Sequence, residues 1–310
     1  MARAQAPRIV VTGVGAIHGL GVGVAPLIEA LREERQPAEE LLAVDYDPED
    51  YRESPKTYMD PCSDLVLAAC YLAVRDAGLG WQEAEHPGFE SDRLGLSLGT
   101  AFGTTESMLT MTGRVQQKGL RFGSPMIFTH AFINTPAALA SIEYELQGPN
   151  MTHSVGDASA AAAIDYAVTM IRAGRADLML AGGAEALTDP LMAAMGQRDL
   201  AGAVGEGAAI LVLETAECAS GRGARPLAEV VSASCLARWA GRGGEAALVA
   251  AATDRARTID ASEACGHTFG ASVALSAACC VGMLAEEGGG PLAAVAPDGS
   301  GAVVLEEWRE

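Results

Sequence analysis

Gly148-Pro149-Asn150-Met151-Thr152-His153-Ser154-Val155-Gly156-Asp157-Ala158-Ser159 is the stretch whose reading decides the fold of this chain. The Gly148-Pro149 turn leads into β-formers from Met151 to Val155. An Ala-rich run from Ala158 to about Ala173 then has strong helix propensity and stops at Gly174. Asp177-Leu178-Met179-Leu180-Ala181 follows as a short apolar strand closed by Gly182 and Gly183. Strand, tight turn, helix and strand make a βαβ unit of a buried parallel sheet. Asp157 falls at its strand-to-helix turn, where backbone N–H groups and the helix dipole favour negative charge and where aspartate is a preferred N-cap.

The same alternation extends outward. Arg8 to Gly15 reads as a buried strand, Val24 to Arg35 as a helix, and Asp45 to Met59 as an acidic, aromatic-dotted loop. Apolar residues at helical spacing (Leu65, Ala68, Ala69, Leu72, Ala73) define a helix over Asp60 to Gly78. After a polar loop at Gln82 to Ser91, Arg93 to Leu98 is a second strand and Gly99 to Gly103 a turn. The class is α/β and layered.

Composition narrows the function. The 310 residues are 49% hydrophobic and only 5% aromatic, which predicts a core of Ala, Val, Leu and Ile. A net charge of −19 without a Lys/Arg cluster predicts no nucleic-acid partner and no anionic membrane surface. Cys62, Cys70, Cys218, Cys235, Cys265, Cys279 and Cys280 have no zinc-site or CxxC spacing and read as small core residues, so no metal and no cofactor is expected. The chain enters a strand directly with no signal peptide, and no apolar run reads as long enough to cross a membrane. Cytoplasmic residence is the expectation.

Six short motifs recur together: Arg8-Ile9-Val10-Val11-Thr12-Gly13-Val14-Gly15, Leu94 to Thr100, Ile133 to Ala137, the Gly148 to Ser159 stretch running on to Ala181-Gly182-Gly183-Ala184-Glu185, Gly205 to Ala208, and Cys265-Gly266-His267-Thr268-Phe269-Gly270-Ala271. In this order they resemble β-ketoacyl synthases. The resemblance implies a thiolase-like fold of two βαβ-rich halves in five layers. Here those halves would be residues 1–220 and a shortened second half, 221–310. In that half Leu227 to Cys235 reads as a strand, Glu245 to Arg255 as a helix, Gly266 to Glu287 as the buried helix, and Ala293-Ala296 with Ala302-Leu305 as closing strands.

The family condenses acyl thioesters with a cysteine thiolate and two histidines, and this sequence departs from that set. Asp157 stands at the cysteine's place, Ser262 at a lysine's, and no His-Gly-Thr sequence occurs. Pro297-Asp298-Gly299-Ser300-Gly301 replaces the closing Gly-Phe-Gly-Gly. His267 alone matches a family histidine. A histidine opening an apolar helix also suits a structural role, and both readings stay open.

Such a pattern resembles a chain-length factor of a bacterial type II polyketide synthase. That implies a subunit without catalysis of its own, with Asp157 and His267 vestigial. It would form a heterodimer with a catalytic ketosynthase, meet the acyl carrier protein only indirectly, and cap the acyl tunnel during elongation of a polyketide, including a highly reduced or polyene chain. Thr105, Met108, Leu109, Thr112, Ile127, Phe128 and Asn134 fall where the family's tunnel and interface side chains lie; ordinary core or interface packing is the other reading. Two alternatives stand beside it. One is a thioester hydrolase or decarboxylase in which Asp157 and His267 converge within hydrogen-bond reach; the other is a self-associating scaffold.

Overall fold

Continuous apolar runs build the centre of the sheet, as expected where strands are covered on both faces. The structure, a computed structural model, describes residues 6–309 apart from 38–39, 42–45, 53, 55–57, 81–87, 196–202 and 236–254. His86 and almost all of the helix expected over Glu245 to Arg255 lie outside the described residues.

The strands are β1 (Ile9–His18), β2 (Gly21–Val22), β3 (Glu40–Leu41), β4 (Leu94–Gly99), β5 (Asn150–His153), β6 (Leu178–Glu185), β7 (Val204–Gly205), β8 (Gly207–Thr215), β9 (Ala228–Cys235), β10 (Arg257–Ile259), β11 (Leu292–Val295) and β12 (Gly301–Glu306). The helices are α1 (Ala25–Arg32), α2 (Pro61–Asp76), α3 (Thr105–Lys118), α4 (Pro125–Phe128), α5 (Thr135–Glu143), α6 (Ser159–Arg172), α7 (Asp189–Met195), α8 (Ala216–Gly221), α9 (Ser262–Cys265) and α10 (Ser272–Glu287).

One sheet runs β10-β11-β12-β9-β1-β8-β6-β4-β5, with β2 paired to β1. Read outward from its middle, the sheet repeats itself. From β1 the neighbours β8, β6, β4 and β5 follow with antiparallel, antiparallel, parallel and parallel pairings. From β9 the neighbours β12, β11 and β10 follow with antiparallel, antiparallel and parallel pairings. The second run is one strand shorter among the described residues. Antiparallel pairing of Val10 with Glu229 and Val11 with Ala228 joins the two.

Each half places a buried helix before its third-ranked strand, α6 before β6 and α10 before β11, and these two pack on one another as well as on strands of both halves. The outer face of the first half is covered by α2 and α5. Asp60 caps α2 by accepting from the Cys62 N–H, with Pro61 at the first helical position, so this helix begins where its sequence says it should. Thus the expected thiolase-like α/β layering with a shortened second half is the architecture found, around two apolar clusters, one on each side of the first half's strands.

Three expectations change. The helix read over Val24 to Arg35 ends at Arg32, and Gly266 to Glu287 is not one helix but α9's C-cap, a short 3-10 turn at Phe269–Ala271 and then α10. Phe269–Glu287 does meet the length and hydropathy of a membrane span, with mean hydropathy 1.6 in an 18-residue stretch of it, but 83% of that stretch is buried inside the protein. The apolarity of α10 therefore serves the core. All seven cysteines are free; five are fully buried, while Cys218 and Cys235 are partly exposed.

Candidate active site and pairing face

The turn between β5 and α6 puts Asp157 at the end of the parallel strands. Gly156, at φ +72°, makes a turn that side-chain-bearing residues rarely adopt. Gly99 lets the end of β4 touch the start of α6: a Cβ there would lie 2.3 Å from the Ser159 and Ala160 backbone. The helix start itself departs from the sequence expectation. Ala158 occupies the N-cap position without a side-chain bond, and Ser159 Oγ secures the turn by accepting from the Val155 N–H and donating to the Gly156 carbonyl. Asp157 is not the cap.

Its carboxylate instead meets His267. Asp157 Oδ2 lies 2.8 Å from His267 Nε2, across 110 residues of sequence. His267 is held by its backbone: its N–H donates to the Ala203 carbonyl, and its own carbonyl accepts from the Gly205 N–H. The preceding Gly266, at φ +75°, frees the chain to turn there. The Phe269 ring lies against the imidazole with centroids 4.3 Å apart, and Phe102 meets Phe269 edge to face at 5.3 Å. Asp157 and His267 are therefore a hydrogen-bonded pair.

Glu185 is the organising residue that the sequence reading named only as part of a motif. It closes the all-buried β6 and is itself wholly buried. Its carboxylate accepts from the N–H groups of Ala101, Phe102, Gly103 and Gly270 and from the Thr100 hydroxyl. One side chain thus ties the turn carrying Phe102 to the loop carrying His267 and Phe269. A charge closing an apolar strand was the available signal.

Burial pushes the Glu185 carboxyl up to about 7, against the pull of those donors. The folded state then holds a proton that the unfolded chain has released near its ordinary value of 4.5, so stability falls as pH rises across that window. Urea unfolding of wild type and Glu185→Gln should show their stability difference shifting against the wild type by up to about 3 kcal/mol between those limits.

The predicted tunnel and interface residues distribute unevenly. Met108, Leu109, Thr112, Phe128 and Asn134 are exposed and Thr105 is half-buried, its hydroxyl donating to the Phe102 carbonyl. Ile127 departs from the group: it is buried, because neighbouring residues of the single-turn α4 lie about 100° apart around the helix and so meet different surroundings. Met108, Leu109 and Phe128 are part of a larger set of exposed apolar side chains. Among the described residues every exposed large apolar side chain except Val231 falls between Phe102 and Val155.

The other described histidines are structural. His18 ends β1 fully buried; Gly23 O lies 3.0 Å from its Nε2, its Nδ1 accepts from the Leu20 N–H, and burial lowers it to about 4. His153 bonds Ser97 Oγ, and His130 stands edge-on to Tyr58.

A cavity of about 610 Å³ opens beside His267, lined also by Leu31, Glu34, Arg35, Ser262 and Glu263. A buried strand-turn-helix with an ionisable pair at the strand ends, repeated sheet halves and a central helix pair define a thiolase-like ketosynthase fold. The N-terminal domain model of the β-ketoacyl synthases matches residues 42–219, more than half of the chain, and the chain belongs to that family. It is 34% identical over 194 residues to the 3-oxoacyl-[acyl-carrier-protein] synthase 2 of Vibrio cholerae, covering 56% of this chain and 46% of that one. The curated relatives it matches are thus spanned for about half to two thirds of their length.

Two solved structures share the fold at 20% identity. One is a type II polyketide synthase acyl-carrier protein in complex with its hexaketide-bound ketosynthase, with a TM-score of 0.83 covering 98% of this chain and 100% of that one. The other is the ishigamide ketosynthase/chain length factor, with a TM-score of 0.78 and the same coverage.

These relatives correct one expectation. The lost cysteine implies a chain with no catalysis of its own, yet several matched curated relatives are named 3-oxoacyl-[acyl-carrier-protein] synthases. The physical reason the expectation failed is that loss of the thiol was equated with loss of the site, whereas the position retains an ionisable group bonded to the surviving histidine.

Proposed function

We propose that this chain is a ketosynthase-family subunit of a type II polyketide system, pairing through its Phe102–Val155 face with a cysteine-bearing ketosynthase and shaping the tunnel in which the acyl chain grows. The observation that carries this reading is the concentration of exposed apolar side chains on that face. Soluble monomers seldom leave so many large apolar groups together in water. Phe128 and Phe132 stack edge to face at 5.0 Å among them, so each of these rings supports the other.

The chain-length role follows from where this face lies. Glu185 ties the Phe102 turn to the His267 loop, and the apolar face begins at that same turn. A partner seated there would meet the pocket end of this chain, with Met108 and Phe128 as walls of a shared tunnel. The related solved complexes, one with an acyl-carrier protein and one a ketosynthase/chain length factor, support this assignment of partners. Residues 1–220 and 221–310 act as the two halves, and the free, mostly buried cysteines fit a reducing compartment such as the cytoplasm.

Product analysis tests the tunnel role. In an active co-expressed pair, Met108→Ala should lengthen the products by at least one elongation unit, because about 60–80 Å³ of side chain leaves the wall. Mass spectrometry of the released chains reads this directly. Unchanged product length in an active pair would contradict a wall at Met108.

A further inference from the structure

We propose that Asp157 and His267 form a general-base pair that hydrolyses acyl thioesters, using water where the family uses a thiol. The geometry supplies the parts. Asp157 Oδ2 accepts the His267 Nε2 proton at 2.8 Å, which fixes the tautomer and leaves Nδ1 with its lone pair. Among the described residues the imidazole makes no second side-chain hydrogen bond. The ring is 31% exposed and lines the 610 Å³ cavity. Asp157 is only 13% exposed, as a group that orients rather than reacts should be.

The step balances without a cofactor. A water gives one proton to His267 Nδ1 as its oxygen bonds the acyl carbon, forming a tetrahedral intermediate. The C–S bond then breaks, and the imidazolium returns the proton to the departing sulfur. A carboxylic acid and a thiol leave, nothing is oxidised, and the pair is restored.

The surroundings select the substrate. Leu31, Pro37 and Pro297 give the cavity beside the imidazole an apolar lining on which an acyl chain can lie. The charged groups lining the cavity are Glu34, Glu263 and Arg35, and Arg35 is already paired with Glu33 at 2.7 Å. With Glu34 and Glu263 in its lining, the site repels a second carboxylate. The substrate class is therefore the neutral acyl thioester, and malonyl thioesters are rejected.

The assay uses the isolated full chain with octanoyl- and malonyl-N-acetylcysteamine, reading thiol release. It therefore fails or succeeds independently of whether the chain pairs with a ketosynthase. Octanoyl hydrolysis should exceed the protein-free rate by about 100-fold, with the malonyl ester about tenfold slower. His267→Ala should return the rate to that of buffer. Asp157 is a positioning residue, so Asp157→Asn should lower kcat about tenfold and move the midpoint of the pH–rate profile, which a merely structural change would not do. Circular dichroism reports folding, and His267→Gln is read in place of an unfolded alanine variant. Wild-type hydrolysis no faster than buffer, a histidine variant as fast as wild type, or preference for the malonyl ester would each overturn the proposal.

Discussion

Replacing Arg222 by methionine is expected to lower the unfolding free energy by about 3–5 kcal/mol, because it strands a carboxylate in the core. Glu214 is fully buried in β8, and Arg222 reaches it with both Nε and Nη2. Thr12 of β1 donates to the same carboxylate, and Arg222 Nη1 donates to the Ala77 carbonyl at the end of α2. One guanidinium thus joins the central strands to the outer helix. Methionine keeps most of the volume and removes the charge, so the loss reports the unpaired Glu214 rather than a cavity. The paired variant Arg222→Met with Glu214→Gln should recover much of the loss. Chemical denaturation of the three variants measures both effects.

The second large effect concerns binding. Phe128→Asp should weaken pairing with the ketosynthase by about 1000-fold, roughly 4 kcal/mol, since the interface would have to bury an unpartnered charge where it now buries a ring. Phe128 is half exposed and, among the described residues, stacks on Phe132, so the free chain should keep its fold and its unfolding midpoint. Ile127→Asp, by contrast, should damage the fold before it damages binding, because that neighbour is buried. Isothermal titration of each variant, with a thermal melt beside it, separates the two outcomes.

The two residues show what sequence could and could not reveal. Long apolar runs such as Leu178–Glu185 and the Ala-rich α6 betray their state because burial on both faces removes every polar alternative. A four-residue helix has no periodicity to read, so Ile127 and Phe128 look alike until their neighbours are known. Asp157 presents a different difficulty. A carboxylate at a helix start reads as a cap, and only the positive φ of Gly156, which hands the cap position to Ala158, turns it elsewhere. Asp157 and His267 must converge if they are to act together; their meeting depends on β7 and the His267 backbone, elements at least 47 residues from Asp157 that no local pattern connects to it. Glu185 was visible as an anomaly, but its four backbone donors come from two distant loops.

The pairing face also connects the assignments. Phe102 belongs at once to the exposed apolar surface, to the turn held by Glu185 and to the aromatic contact beside His267. A partner that orders Phe102 therefore acts on the site through a single turn. If the dyad hydrolyses thioesters in the free chain, docking of a ketosynthase should alter that rate, and the change would measure how tightly face and site are coupled.

Native mass spectrometry of this chain co-expressed with a cysteine-bearing type II ketosynthase tests the central claim most directly. The predicted result is a one-to-one complex that survives purification and is lost with Phe128→Asp. Recovery of this chain only as a monomer or as pairs of itself, with the folded ketosynthase present and unbound, would contradict it.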